Sequence, residues 1–141
     1  SLLTGQQANS SIIDQWLIRL ELSQHKHRLI GTFSKGMVQR LGIVLSLIHN
    51  PDIIIWDEPS SGLDPEGRKL VLDLIQEEKQ KNKTFIISTH ILSDIERTCD
   101  HLLVLKDGQL LLNQNIKDAC SQYACKDVES LYLKAIQKEL S

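Results

Sequence analysis

Ile53-Ile54-Ile55-Trp56-Asp57-Glu58-Pro59-Ser60-Ser61-Gly62-Leu63-Asp64 is the stretch that decides the fold. Large apolar residues run straight into two adjacent acids. The run is too short for a helix and too apolar for an edge strand, so it predicts a buried strand of a parallel sheet. Asp57 and Glu58 then stand at the carboxyl end of that strand, where open α/β sheets bind their ligands. Two carboxylates delivered there suit a magnesium ion and an activated water. Pro59 stops the strand, and Ser60, Ser61 and Gly62 form a turn that ends in a third acid, Asp64. The stretch reads as the metal and hydrolysis half of a nucleotide triphosphatase.

A second strand is expected over Thr84-Phe85-Ile86-Ile87-Ser88, whose β-branched and aromatic content suits a buried position. It ends in Thr89 and His90. If the two strands are parallel neighbours, His90 arrives at the same sheet edge as Asp57 and Glu58. Between them, roughly Pro65 to Lys81, the apolar positions Leu70, Val71, Leu74 and Ile75 follow helical spacing. Strand, helix, strand is the right-handed crossover that makes parallel neighbours.

Upstream lies Thr32-Phe33-Ser34-Lys35-Gly36-Met37-Val38-Gln39-Arg40-Leu41. Ser34 predicts the N-cap of a helix reaching about Asn50, with Met37, Val38, Leu41, Val44, Leu45 and Ile48 as its buried face. A serine and a glycine at a helix start present free backbone N–H groups, and the helix dipole adds positive potential. That is an anion site suited to a terminal phosphate.

With these residues in hand, the chain resembles the ABC ATPases. Phe33-Ser34-Lys35-Gly36-Met37 is similar to that family's signature motif, usually written Leu-Ser-Gly-Gly-Gln. Ile53 to Pro59 resembles its Walker B strand, Ser61-Gly62-Leu63-Asp64 its D-loop and Ser88-Thr89-His90 its switch-histidine loop. The motifs stand in the family's order at fitting spacings, and the resemblance runs from about Ile30 to the end of the chain. The Ser-Lys-Gly-Met form followed by Gln-Arg-Leu is similar to the branch serving exporters. Lys35 and Met37 depart from the pattern, replacing a glycine and a glutamine.

A P-loop, Gly-x-x-x-x-Gly-Lys-Ser/Thr, is absent from the sequence. Gly31 to Gly36 and Gly62 to Gly67 share its glycine spacing but continue as Met37-Val38 and Arg68-Lys69, and the second contains Asp64 and Glu66. The P-loop's amides, lysine and hydroxyl hold phosphates and magnesium, and neither stretch can do so. The resemblance implies that the family's P-loop, adenine-stacking aromatic and Q-loop glutamine belong N-terminal to residue 1. The expected fold is thus α/β, a P-loop NTPase-like, mainly parallel sheet with flanking helices, incomplete because its N-terminal half is absent. The whole chain, 1–141, is read as the C-terminal part of one nucleotide-binding domain. Residues 10–50 would be the remnant of a helical subdomain with the signature, 51–114 part of the catalytic core, and 115–141 C-terminal helices.

Composition agrees. The 141 residues, 41% hydrophobic, can build a core. A net charge of −2 provides no basic field for nucleic acid. Cys99, Cys120 and Cys125 form no metal pattern, leave an odd thiol and suit a reducing compartment. No apolar run approaches a membrane span and no signal peptide is evident. Residues 1–9 are polar and expected to be loose, and Ser10 to Leu22 predicts a short amphipathic helix carrying Ile12, Ile13, Trp16, Leu17 and Leu20. His101 to Leu105 predicts a strand, Asp107-Gly108 a hairpin turn and Gln109 to Leu112 its partner. Two helices are expected from Asn115. Asp127 to Leu133 resembles the segment that closes many domains of the exporter branch, which implies the natural C-terminus.

The bland readings stand beside these. An Asp-Glu pair after an apolar strand is most often a solvated turn, a lone His90 a capping or packed residue, and Ser34 with Gly36 an ordinary cap. The motifs taken together favour function. His25, His27, His49 and His101 have no partner at metal spacing, and Trp16 and Trp56 are expected to pack.

The resemblance implies the following chemistry. Two domains face each other head to tail around two ATP molecules. Asp57 would hold magnesium, through water, and Glu58 would act as general base. His90 would hydrogen-bond the γ-phosphate. Ser34 and Gly36, with Lys35 as a further contact, would meet the ATP bound by the opposite subunit, and Asp64 would link the two sites across the interface. The implied cofactors are ATP and magnesium. The implied partners are an integral-membrane permease subunit and a second nucleotide-binding domain, as a homodimer, with no nucleic acid. The implied location is cytoplasmic, on the inner face of the cell membrane. The fragment alone would be inactive. The rival readings are an ABC-type ATPase in DNA repair or translation, and a non-enzymatic protein-binding fragment.

Overall fold

The computed structural model describes residues 10–137, so the expectation for residues 1–9 lies outside the described residues. The chain divides into two compact units, Ser1–Ser88 and Thr89–Ser141.

The first unit starts with α1, Ser10–Arg19. This helix ends earlier than expected because Glu21 takes a left-handed φ of 55°, a conformation that no α-helix continues through. Leu20 and Leu22 are nevertheless fully buried beyond its end. Two short 3₁₀ turns, Ser23–His25 and Ile30–Thr32, lead to α2, Lys35–Leu47. Ser34 caps α2 as predicted, its side chain accepting from the Met37 amide at 3.2 Å. The buried face is Met37, Ile43, Val44 and Leu47, whereas Val38 and Leu45 are exposed. Val38 and Leu45 are seven residues apart and share a flank of the helix rather than its centre.

β1, Ile53–Asp57, and β2, Thr84–Ser88, pair in parallel, with Ile55 opposite Ile86 and Asp57 opposite Ser88. α3, Pro65–Lys79, makes the crossover between them. One sheet face carries Ile54, Trp56, Phe85 and Ile87 into a core shared with Leu17, Leu20, Val44, Val71, Leu74 and Ile75. Trp56 meets Phe85 edge-on at 5.1 Å, and its indole N–H donates to Ser46 Oγ at 2.9 Å, so it packs as expected. The other face is open. Ile53, Ile55 and Ile86 are 62%, 72% and 54% exposed, which corrects the expectation of a strand buried on both sides. A run apolar at every position predicts two covered faces, and here α3, α2 and α1 cover one.

The second unit holds α4, Leu92–Thr98, an element with no signal in the sequence reading. Its seven residues are too short to display helical periodicity. β3, His101–Lys106, and β4, Gln109–Asn115, then form an antiparallel hairpin. Asp107 and Gly108 turn it with φ values of 50° and 75°, the paired positive angles of a two-residue type I′ turn. β4 runs three residues further than predicted, Asn113, Gln114 and Asn115 pairing with Leu103, Leu102 and His101, and a register shift lies between Val104 and Leu105. α5, Ile116–Gln122, is capped by the Asn115 side chain, and α6, Val128–Gln137, by Asp127, whose carboxylate accepts from the Ser130 amide at 2.8 Å. Leu102, Val104, Leu112, Ala119, Val128, Leu131 and Ala135 form this unit's own core.

Candidate functional site

The first unit concentrates the predicted residues at the carboxyl end of its parallel sheet. Asp57 is the last residue of β1 and lies on the open face, since it shares the parity of Ile53 and Ile55. Its cross-strand partner Ser88 donates its hydroxyl to Asp57 Oδ1. A carboxylate beside a hydroxyl is an all-oxygen donor set, the kind that hard divalent cations prefer. Among the described residues no group of three or more His, Cys, Asp or Glu could hold a metal. The Asp57–Ser88 oxygen pair is the kind of donor set that fits magnesium, an ion that takes one or two carboxylates and completes its shell with waters and substrate phosphates.

Glu58 follows in a left-handed conformation, with φ 48°. This region disfavours any residue with a Cβ. Its backbone is fixed from both sides. The Glu58 amide donates to Ser88 O at 2.9 Å, and its carbonyl accepts from the Ser61 amide at 3.1 Å. The Gln39 side-chain amide reaches the Glu58 carbonyl at 3.2 Å and the Pro59 carbonyl at 3.3 Å. The turn after β1 is thereby redirected, and Pro59 and Ser60 are buried beneath it.

The start of α2 packs on this turn. A Cβ added at Gly36 would come within 3.3 Å of Leu63 Cδ2, and one at Gly62 within 3.1 Å of Lys35 Cε. Gly62 itself has a φ of 73°, so it is needed both for its left-handed backbone and for the lysine lying across it. Ser34, Lys35 and Gly36 thus stand beside the segment that follows Glu58. Asp64 is the N-cap of α3. Its carboxylate accepts from the Gly67 amide at 2.9 Å, and a Cβ at Gly67 would sit 2.8 Å from that oxygen. The second glycine pair that mimics a P-loop is therefore the cap of α3.

His90 belongs to the second unit, two residues beyond the end of β2. It is exposed. Thr89 precedes it and accepts from the Ile91 amide through its hydroxyl at 3.1 Å, which bends the chain toward α4. The structure thus brings Asp57, Glu58, Ser34, Lys35, Gly36 and Asp64 into one unit and leaves His90 in the other.

The sequence reading missed two residues, Ser88 as the partner of Asp57 and Gln39 as the tether of Glu58. The Ser88 contact follows from the strand register, which becomes legible once β1 and β2 are taken as parallel. The Gln39 contact depends on how α2 packs, and no local pattern announces it.

Residues 5–93 match the family described as "AAA domain, putative AbiEii toxin, Type IV TA system". An uncharacterised ABC transporter ATP-binding protein of Methanocaldococcus jannaschii is 46% identical over 112 residues, 79% of this chain and 43% of that protein. The bacitracin transport ATP-binding protein of Bacillus licheniformis is 46% identical over 100 residues, 70% of this chain and 33% of that protein. A solved structure titled as the ATP binding subunit of an ABC transporter superposes with a TM-score of 0.81 at 28% identity, over 91% of this chain and 56% of that one. The chain spans less than half the length of these two curated relatives. With the match to the AAA family over most of its length, and with relatives and a fold of this kind, the chain belongs to the AAA-domain family, among the ABC-type ATP-binding proteins.

Proposed function

We propose that this chain contributes the hydrolytic half of an ATP-binding subunit that couples ATP hydrolysis to movement of a substrate across a membrane. The observation that carries the reading is the pair Asp57 and Glu58 at the carboxyl end of the parallel sheet, with Glu58 held at a φ of 48° by hydrogen bonds. The reading requires a P-loop in addition to residues 1–141, which contain no Gly-x-x-x-x-Gly-Lys-Ser/Thr. Residues 10–50 belong to the helical subdomain, 51–114 to the catalytic core and 115–141 to the C-terminal helices.

In this reading Asp57, beside Ser88, holds magnesium through water. A magnesium ion held there would supply Lewis-acid polarisation of the nucleotide's phosphates. Glu58 takes the proton of the attacking water, a role that contributes roughly 10²–10⁴-fold. His90 donates to a γ-phosphate oxygen and fixes its orientation. Ser34 and Gly36, with Lys35, offer donors and positive charge to the ATP of a second subunit. Asp64, already fixed as a cap, stands in the D-loop that faces that subunit. The partners are a second nucleotide-binding domain, as a homodimer, and an integral-membrane permease, which together place the protein at the cytoplasmic face of the membrane. No helix of the described residues is long and apolar enough to cross a membrane.

Glu58→Gln in the ATPase assembled with its P-loop half tests the reading. The amide keeps the shape and cannot accept the proton. Hydrolysis should fall at least about 10²-fold, while ATP binding persists and an ATP-bound dimer accumulates. Turnover within about twofold of wild type would remove Glu58 from this role.

A further inference from the structure

We propose that Gln39 is a positioning residue that ties the phosphate-facing helix α2 to the backbone of Glu58, so that the two ends of the site move as one piece. The inference rests on the general-base reading of Glu58 given above. Gln39 lies on α2 just beyond its first turn, half-buried, on the same helix whose start carries Ser34 and Gly36. Its Nε2 donates to two successive carbonyls, Glu58 O at 3.2 Å and Pro59 O at 3.3 Å. Glu58 needs such a tether. Its left-handed φ is costly for a residue with a Cβ, and such conformations persist only where the surroundings over-determine them.

The chemistry of the position selects an amide. Two adjacent carbonyl oxygens require N–H donors without an accompanying acceptor turned toward them. A glutamine NH₂ supplies two donors at the right reach. A carboxylate of the same length supplies none and faces both oxygens with negative charge. The contact does not stand alone, because Gly36 sits against Leu63 and Lys35 against Gly62 in the same turn. A displacement of the start of α2 is therefore transmitted to Glu58 through Gln39 and through this packing. In the proposed assembly, α2 meets the ATP of the second subunit while Glu58 serves the ATP of its own. Gln39 is then the link by which occupancy of one site sets the geometry of the base in the other.

Gln39→Glu and Gln39→Met separate the possibilities. Methionine keeps the length and removes the donors without adding charge, so it reads the tether even if the glutamate variant folds poorly. Hydrogen exchange on the 141-residue chain should rise about tenfold at the Ser61 and Glu58 amides in either variant, the loss of one ordinary hydrogen bond. Exchange in the β3–β4 hairpin should not change. In the assembled ATPase, kcat should fall roughly tenfold to a hundredfold with the KM for ATP little moved, as expected when a reacting group is misplaced and binding is spared. Unchanged exchange at Ser61 and Glu58 would overturn the tether. Raised exchange with kcat kept, in an enzyme that Glu58→Gln inactivates, would overturn the positioning role alone. Turnover retained by Glu58→Gln would instead overturn the general-base reading, and the exchange result would still report on the hydrogen bonds.

Discussion

Asp57 and Glu58 are adjacent in sequence and differ in what the backbone does with them. Asp57 ends a regular strand and is exposed on the sheet's open face, with Ser88 donating to it. Glu58 leaves the strand with φ 48° and is half-buried. The first arrangement suits a group that attracts a cation, and the second a group that must be held in one direction. In the proposed ATPase assembly, Asp57→Asn should weaken nucleotide binding with magnesium present by roughly 10–100-fold. It should leave magnesium-free binding nearly unchanged, because the amide keeps an oxygen for Ser88 and loses only the charge. Titrations with magnesium and with a chelator distinguish the cases, and equal loss in both would make Asp57 structural. The place of Asp57 at the end of a strand and of Ser34 at the start of a helix was legible because each is announced by its immediate neighbours, an apolar strand before Asp57 and a helix pattern after Ser34, whereas the cap that Asp64 makes for α3 was not read from the sequence. Gln39 was not legible, because its role is defined by residues nineteen and twenty positions away.

At the scale of elements, α1 and α3 are joined by a buried carboxylate. Glu78 on α3 is 1% exposed. Arg19, at the end of α1, donates to it at 3.2 Å, and Lys81 at 2.7 Å. Burial alone would raise the Glu78 pKa. Hydrogen bonds from Lys81 and Arg19, with their positive charge, outweigh it and hold the carboxyl below the usual 4.5. A folded-state pKa below the unfolded one means that this contribution to stability is present above about pH 4.5 and fades as pH falls through the lower, folded value. Arg19→Ala should therefore cost about 1–3 kcal/mol at neutral pH, where it leaves a buried carboxylate short of a donor. Wild type and variant should converge on acidification, as Glu78 becomes protonated in both. Urea unfolding at pH 7 and at a series of lower pH values measures this, and a pH-independent difference would show that Arg19 acts through its stacking on Trp16, 4.5 Å from the ring centroid. Helices with long apolar periodicity, such as α3, were legible in the sequence. α4 was not, because seven residues carry too little pattern; the end of α1 was overrun because Glu21 takes a left-handed angle that its residue type does not favour, whereas Asn50 before Pro51 is a stop signal that places the end of α2 before it.

At the scale of the molecule, the strand–helix–strand crossover was legible and the coverage of its sheet was not. An apolar run reports how much burial a strand is built for, and it cannot report which face this chain's own helices cover. α3 and its neighbours cover the face of Ile54 and Trp56, so the second face, with Ile53, Ile55 and Ile86, remains open. Ile55 and Ile86 are register partners, which makes the exposed apolar surface continuous across both strands. Both strands are also short of neighbours, since the sheet contains β1 and β2 alone among the described residues. Parallel strands are normally covered on both faces and flanked on both sides, and unpaired strand edges recruit other chains. The 141-residue chain in isolation should therefore associate with further copies of itself through this face. Light scattering across a concentration series should show mass rising above that of a monomer. Ile55→Lys with Ile86→Lys should lower it, with the circular dichroism spectrum retained because both side chains already face solvent. A wild-type chain that stays monomeric throughout the series would show that the open face does not self-associate. Association that persists in the double variant would move the contact to another surface, such as the flank of α2 that exposes Val38 and Leu45.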